Sequence, residues 1–127
     1  MMILVCGMPR AGKTTYSKRF KDIPVVHADE CHTFSNLLKT IKRHEDVVVD
    51  GIFHEPFNRK SLLQHRPNEY SKCIWLDTPI EVRKSRQGYS TFSPRHFKPP
   101  TFEEGWDEII IIRGEDDVKR SYRQNKT

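Results

Sequence analysis

Residues 2–15 of the chain read MILVCGMPRAGKTT. The first five of these residues are apolar, which predicts a buried strand that stops at Gly7. From Gly7 the sequence matches the pattern Gly-x-x-x-x-Gly-Lys-[Ser/Thr] at every fixed position, and a segment of helical character follows. The glycines allow a tight turn in which backbone N–H groups and a helix N-terminus face an anion. The stretch therefore predicts a phosphate-binding loop, and the flanking strand and helix disfavour the alternative of a chance glycine-rich turn.

The loop offers candidate contacts for a nucleotide and its metal ion. Lys13 is placed to neutralise charge on β- and γ-phosphates, and Thr14 offers a hydroxyl to Mg²⁺. The predicted nucleotide-binding residues are Gly7, Met8, Pro9, Arg10, Ala11, Gly12, Lys13, Thr14 and Thr15.

Short apolar runs alternate with longer helix-like segments along the rest of the chain. The predicted strands are 2–6, 25–28, 47–49, 73–76 and 109–112, and the predicted helices are 14–21, 30–44, 56–66 and 79–87. This alternation predicts an α/β fold with a parallel sheet covered by helices on both faces. The proline-containing stretch 88–105 is too long for an ordinary connector, so we expect a lid or substrate loop over about 83–105. The charged segment after Gly114 lies in a basic C-terminal tail, 113–127, and is a candidate for a last surface helix.

Length and composition limit the classes of protein. With 127 residues, the chain predicts one domain, 1–127. No apolar run is long enough to span a bilayer, and the apolar start lacks the basic leader of a signal peptide. The three cysteines show neither a disulfide framework nor metal-ligand spacing, and the six histidines predict no zinc site, so we expect a cytoplasmic protein. A net charge of +5 favours an anionic partner, either a nucleotide or a nucleic acid.

Two carboxylates lie at the ends of predicted strands. Asp50 ends the run 47–49 and could support Mg²⁺ through water, or simply cap a turn. Asp29 follows the second strand and could accept a proton from an attacking hydroxyl. Asp29 could equally be the N-cap of the helix that starts at Glu30.

Arg83 and Arg86 are three residues apart in a helix-like segment just before the irregular stretch, so they share a helix face. Arginines of a lid can neutralise charge on a transferring phosphoryl group. The alternative is a solvated basic face. Trp75 and Trp106 are expected in the core, and His32 and His54 on the polar surface or beside a substrate.

Three blocks resemble the P-loop kinases of the polynucleotide kinase type, which occur in phages and in nucleic-acid repair enzymes. The first is residues 3–15, including Pro9 of the loop. The second is 27–30, which looks like the family's Asn-x-Asp-[Asp/Glu], and the third is 97–109, which is similar to its Pro-[Thr/Ser]-x-x-Glu-Gly-Phe-x-x-Ile block. The chain departs from the family at His32, where the family often has an arginine that binds substrate phosphate.

The resemblance implies a three-layer P-loop fold with a five-stranded parallel sheet of order 2-3-1-4-5. It implies a kinase that uses ATP and Mg²⁺ to phosphorylate the 5′-hydroxyl of DNA or RNA. The implied catalytic residues are Lys13, Asp29 as general base, Arg83 and Arg86; the implied metal-supporting residues are Thr14 and Asp50. Two alternatives remain open: a kinase for a nucleoside, nucleotide or modified base, and a nucleotide-binding switch or toxin-like module without kinase turnover.

Overall fold

Five parallel strands and one antiparallel strand form a single sheet in the computed structural model, which describes residues 1–85, 96–114 and 116–123. The strands lie in the order β2-β3-β1-β4-β5-β6. Their bounds are β1 Met2–Gly7, β2 Val25–His27, β3 Val47–Gly51, β4 Ser71–Leu76, β5 Glu108–Ile112 and β6 Val118–Tyr122. The first five strands have the predicted order and direction, so the α/β prediction is confirmed.

Helices cover both faces of this sheet. They are α1 Lys13–Ser17, α2 Phe34–Ile41, α3 Pro56–Gln64 and α4 Ile80–Ser85, with 3₁₀ turns at Ala28–Cys31 and Phe102–Glu104. Alternate residues of each strand face opposite sides. On one side, Tyr16 of α1 packs against a cluster that contains Ile3 and Val5; on the other, Leu37 of α2 and Leu62 of α3 pack with Leu4. All six residues of β1 are buried, as expected of a central parallel strand.

The sixth strand corrects the prediction of a five-stranded sheet and of a last surface helix after Gly114. β6 pairs antiparallel with β5, with Val118 opposite Ile112 and Tyr122 opposite Glu108. β5 would otherwise present unpaired backbone groups at the edge of the sheet. Charged side chains such as Lys119 and Arg120 are tolerated there because an edge strand leaves them in water.

The helix predicted over 30–44 is shorter in the structure. Residues Ala28–Cys31 form a 3₁₀ turn, and His32 has a left-handed backbone with φ +64° that interrupts the helix. Thr33 then caps α2, since its Oγ1 accepts a hydrogen bond from the Asn36 N–H at 3.1 Å. The prediction missed this break because the apolar spacing continues across it.

A buried ion pair anchors the segment that leads from residue 96 to β5. Arg59 of α3 is fully buried and makes a bidentate contact with Glu104 at 2.7 and 2.9 Å. The same guanidinium donates to the carbonyls of Phe53 and Pro99. Trp106 Nε1 also donates to Glu104, which confirms Trp106, like Trp75, as a core residue. The pair therefore joins α3, the loop after β3 and the segment around Glu104.

The variant Arg59→Met should lower the free energy of unfolding by about 3–5 kcal/mol, because it leaves the Glu104 carboxylate buried without its cation. Urea denaturation measures the change. The exposed Arg113–Asp77 pair provides the control, and Arg113→Met should shift the urea midpoint far less. Equal shifts in the two variants would contradict this account of the buried pair.

Candidate functional site

The loop between β1 and α1 is a tight turn that depends on its glycines. A Cβ on Gly7 would come within 2.8 Å of the Leu76 carbonyl oxygen and 3.1 Å of the Ala11 Cβ, so only glycine fits against β4. Gly12 has φ +98°, a left-handed conformation that glycine adopts without strain. The Ala11 N–H donates to the Met8 carbonyl at 3.1 Å and closes the turn. The predicted loop is therefore present, directly between a strand and a helix.

Lys13 folds back over this loop. Its Nζ donates to the carbonyl oxygens of Gly7 at 3.2 Å and Met8 at 3.0 Å. Burial lowers the pKa of Lys13, and the charges of Asp50 and Asp29 oppose that shift. The predicted lysine and both predicted carboxylates are thus close enough to interact electrostatically.

The chain after β4 ties down the other side of the loop. Thr78 Oγ1 donates to the Ala11 carbonyl at 2.8 Å. Arg83 of α4 is only 5% exposed, and its guanidinium donates to the Thr78 carbonyl at 3.3 Å and the Pro9 carbonyl at 3.4 Å. The interpretation of Arg83 as part of a solvated helix face is therefore wrong. Its predicted partner, Arg86, lies outside the described residues.

Asp50 lies at the carboxyl end of β3 and is 4% exposed. Both carboxylate oxygens lie near Nδ1 of His27, at 2.9 and 2.8 Å. The two residues are register partners on β2 and β3, so the backbone pairing places them side by side. Hydrogen bonding to Asp50 raises the pKa of His27.

Asp29 is exposed and lies inside the 3₁₀ turn that follows β2. It is not the cap of α2, because Thr33 has that position, so the N-cap interpretation is wrong. Its negative charge raises the pKa of Lys13 and so opposes the effect of burial on that lysine.

A cleft of about 770 Å³ opens beside the loop, between α1, the end of β4 and the β5–β6 hairpin. Four of its lining residues are cationic, namely Arg10, Lys13, Arg19 and Arg113, and no aspartate or glutamate is among the described residues that line it. Its apolar wall is formed by Leu76, Val82, Ile112 and Val118. The Arg19 guanidinium lies 4.5 Å from the centre of the Tyr16 ring. This cleft can accept a polyanion that also carries an apolar or aromatic group.

Oxygen ligands for a hard cation are also at hand. Thr14 exposes its hydroxyl in the first turn of α1, and Asp50 provides a carboxylate. Within residues 1–85, 96–114 and 116–123, no group of three or more His, Cys, Asp or Glu side chains could hold a metal by itself. A hydroxyl, a carboxylate and bound phosphate oxygens are the kinds of ligand with which Mg²⁺ is commonly held.

Sequence reasoning assigned no role to His27, Thr78 or Arg113. Each lies at or just after the carboxyl end of a strand, the edge where ligands bind in open α/β sheets. That rule could have found all three residues. Their partners could not be found, because the contacts of Thr78 with the loop and of His27 with Asp50 join distant parts of the chain.

No protein-family model matches the chain, and no curated protein matches it at a significant level. In the part of the chain that the structure describes, no helix is both long and apolar enough to cross a membrane. All three cysteines are free, and Cys6 and Cys73 are buried in their strands as expected.

The raised pKa of His27 predicts how the stability of the folded chain depends on pH. The protonated imidazole is favoured in the folded chain, so its stabilisation is fully present below the ordinary value of 6.5 and is lost as pH rises through the raised pKa. Relative to His27→Asn, the wild-type chain should therefore be more stable at about pH 5.5 than at about pH 8. Urea denaturation at both values measures the difference, and His65→Asn, at an exposed histidine just after α3, is the control. A pH-independent difference for His27→Asn would contradict the assignment.

Proposed function

We propose that this chain is an ATP-dependent kinase that transfers the γ-phosphate to a hydroxyl group, with the 5′-hydroxyl of DNA or RNA as the acceptor. One observation carries the proposal: Lys13, next to a glycine-dependent turn, lines a cleft with three other cations and interacts electrostatically with two carboxylates. These are Asp29, just after β2, and Asp50, near the carboxyl end of β3. Phosphoryl transfer needs this combination of a phosphate cradle, fixed positive charge and a nearby proton acceptor.

The donor side follows from the charges of the cleft. Backbone N–H groups of the loop would bind the phosphates, and Lys13 would move from its loop carbonyls to a phosphate oxygen. Arg19 and Arg113 would add positive charge, while the apolar wall would contact the base. Arg83 would fix the shape of the loop through its hydrogen bond to the Pro9 carbonyl. This role differs from the one expected from the sequence, in which Arg83 closes over the phosphates.

The hydroxyl of Thr14 would hold Mg²⁺ together with phosphate oxygens, and Asp50 would support it through water. Mg²⁺ supplies neutralisation of the charge that develops on the phosphates. The hard oxygen donors present here fit that ion.

On the acceptor side, Asp29 would orient the attacking hydroxyl and accept its proton as the new O–P bond forms. The bond between the γ-phosphorus and the β–γ bridging oxygen would break in the same step, and ADP would leave. Its exposure leaves it accessible to an acceptor that arrives from solvent. Rate acceleration would come mainly from positioning and from fixed charges around the phosphoryl group.

Two observations bear on the class of acceptor. The net charge of +5 and the resemblance to polynucleotide kinases support a nucleic-acid end. His32 favours a second candidate, a kinase for a nucleoside, nucleotide or modified base, because it replaces the arginine expected to bind an acceptor phosphate.

The test is a transfer assay with γ-labelled ATP, Mg²⁺ and three acceptors: a 5′-hydroxyl oligonucleotide, the same oligonucleotide already 5′-phosphorylated, and a mixture of nucleosides. We expect label on the first alone, and weaker transfer as salt is raised. Label on the nucleosides alone would support the second candidate. No labelled product from any acceptor, with ATP bound, would favour a nucleotide-binding switch.

Two variants test the assigned roles. Lys13→Ala should reduce transfer by about 10²–10³-fold with the fold intact, because a fixed cation at the transferring group is lost.

Asp29→Asn should reduce transfer by about 10²–10⁴-fold and leave ATP binding unchanged, because only the proton acceptor is lost. Glu30→Gln, at the neighbouring exposed acid, is the control. Turnover near the wild-type rate in Asp29→Asn would remove Asp29 from the mechanism.

A further inference from the structure

Lys13 and Asp50 are opposite charges that interact electrostatically without pairing. Lys13 contacts the Gly7 carbonyl at the end of β1, and Asp50 lies near the end of β3, the strand that pairs with β1. The ammonium donates to the carbonyls of Gly7 and Met8, and the carboxylate contacts His27. Among the ion pairs of the described residues, none joins Lys13 to Asp50. A loop carbonyl is a weaker partner for an ammonium than a carboxylate is, so this arrangement needs an explanation.

The buried carboxylate of Asp50 attracts the ammonium of Lys13. Asp50 is almost fully buried, where charges are screened less than at the surface. Of the charges that act on Lys13, that of Asp50 raises its pKa the most. A lysine side chain is also flexible enough to follow such an attraction.

His27 occupies the carboxylate that Lys13 would otherwise seek. Its Nδ1 lies almost equally far from the two oxygens of Asp50, at 2.9 and 2.8 Å. The position is fixed by strand pairing, because His27 and Asp50 are register partners on β2 and β3. A donor held by the sheet therefore contacts both oxygens of Asp50 from the side of β2, away from β1.

We infer that His27 is a positioning residue that keeps Asp50 from capturing Lys13 and so leaves the lysine free for a phosphate chain. The inference rests on the proposed function in that the phosphate chain is that of the donor nucleotide. Transfer of Lys13 to a phosphate breaks two hydrogen bonds to loop carbonyls, which hold an ammonium less strongly than a buried carboxylate would. Without His27, the same movement would first break an ion pair with Asp50.

Two substitutions separate the hydrogen-bond donor of His27 from its size. Asparagine places an amide N–H near the position of Nδ1, whereas leucine has a similar size and no donor. We expect His27→Leu to weaken binding about tenfold or more, because a newly formed Lys13–Asp50 pair competes with the ligand. His27→Asn should bind within about twofold of the wild type.

The probes are ATP and inorganic tripolyphosphate, and titration calorimetry measures their affinity. EDTA is present to remove Mg²⁺, so that any contribution of Asp50 to metal binding does not affect the result. The double variant His27→Leu/Asp50→Asn should recover most of the lost affinity, because a neutral amide cannot capture the ammonium. A purely structural role for His27 would not give this recovery. His65→Leu controls for loss of a histidine elsewhere, and thermal melts confirm folding of every variant.

The outcomes separate the inference from the function on which it rests. Wild-type affinity in His27→Leu, or a double variant as weak as His27→Leu, would overturn the inference and leave the proposed function standing. If the wild-type chain binds neither probe, the proposed function fails and the inference fails with it. If His27→Leu does not fold, a double variant that folds and binds more weakly than His27→Asn would also overturn the inference.

Discussion

Parallel pairing of β1 with β3 on one side and β4 on the other is the constraint on which the site depends. Parallel strands end at the same edge of a sheet, so the glycine-dependent loop after β1, Asp50 at the end of β3 and Thr78 after β4 are brought together by backbone hydrogen bonds. The register then sets finer positions, such as Val5 beside Asp50 and Asp50 beside His27. Side chains from distant parts of the chain thereby meet without a long ordered loop.

The contacts around the loop are already made in the folded chain. Thr78 and Arg83, which follow β4, donate hydrogen bonds to carbonyls of the loop. Lys13 donates to the carbonyl of Met8 in the same loop. A loop held in this way has little conformational entropy left to lose when a ligand binds, which favours affinity. The cost is that Lys13 is kept partly away from water, which lowers its pKa. In the proposed kinase, that partly desolvated ammonium would interact strongly with a phosphate oxygen.

Much of the fold could be predicted from local sequence, because its main signals are local. The apolar runs marked the five parallel strands, and the loop pattern marked the turn from β1 to α1. β6 was missed because charged residues in a short edge strand resemble a solvated helix. The start of α2 was missed because the left-handed turn at His32 lies within continuous helical spacing.

The sequence indicated the residues of the candidate site that carry its chemistry, but it indicated fewer of the residues that hold them in place. The loop motif and the strand ends indicated Lys13, Asp29 and Asp50, and both carboxylates influence the pKa of Lys13 in the structure. The burial of Arg83 and the contact of His27 with Asp50 depend on tertiary packing, which one sequence does not reveal. The same is true of the cation-lined cleft, since its wall is completed by Val118 of the unforeseen strand β6.

The central claim is tested most directly by titration calorimetry, which measures the binding of ATP to the full wild-type chain in the presence of Mg²⁺. The account predicts a single site per chain, competition by inorganic tripolyphosphate, and clear loss of affinity in Lys13→Ala. Absence of ATP binding, or binding that Lys13→Ala leaves unchanged, would contradict it.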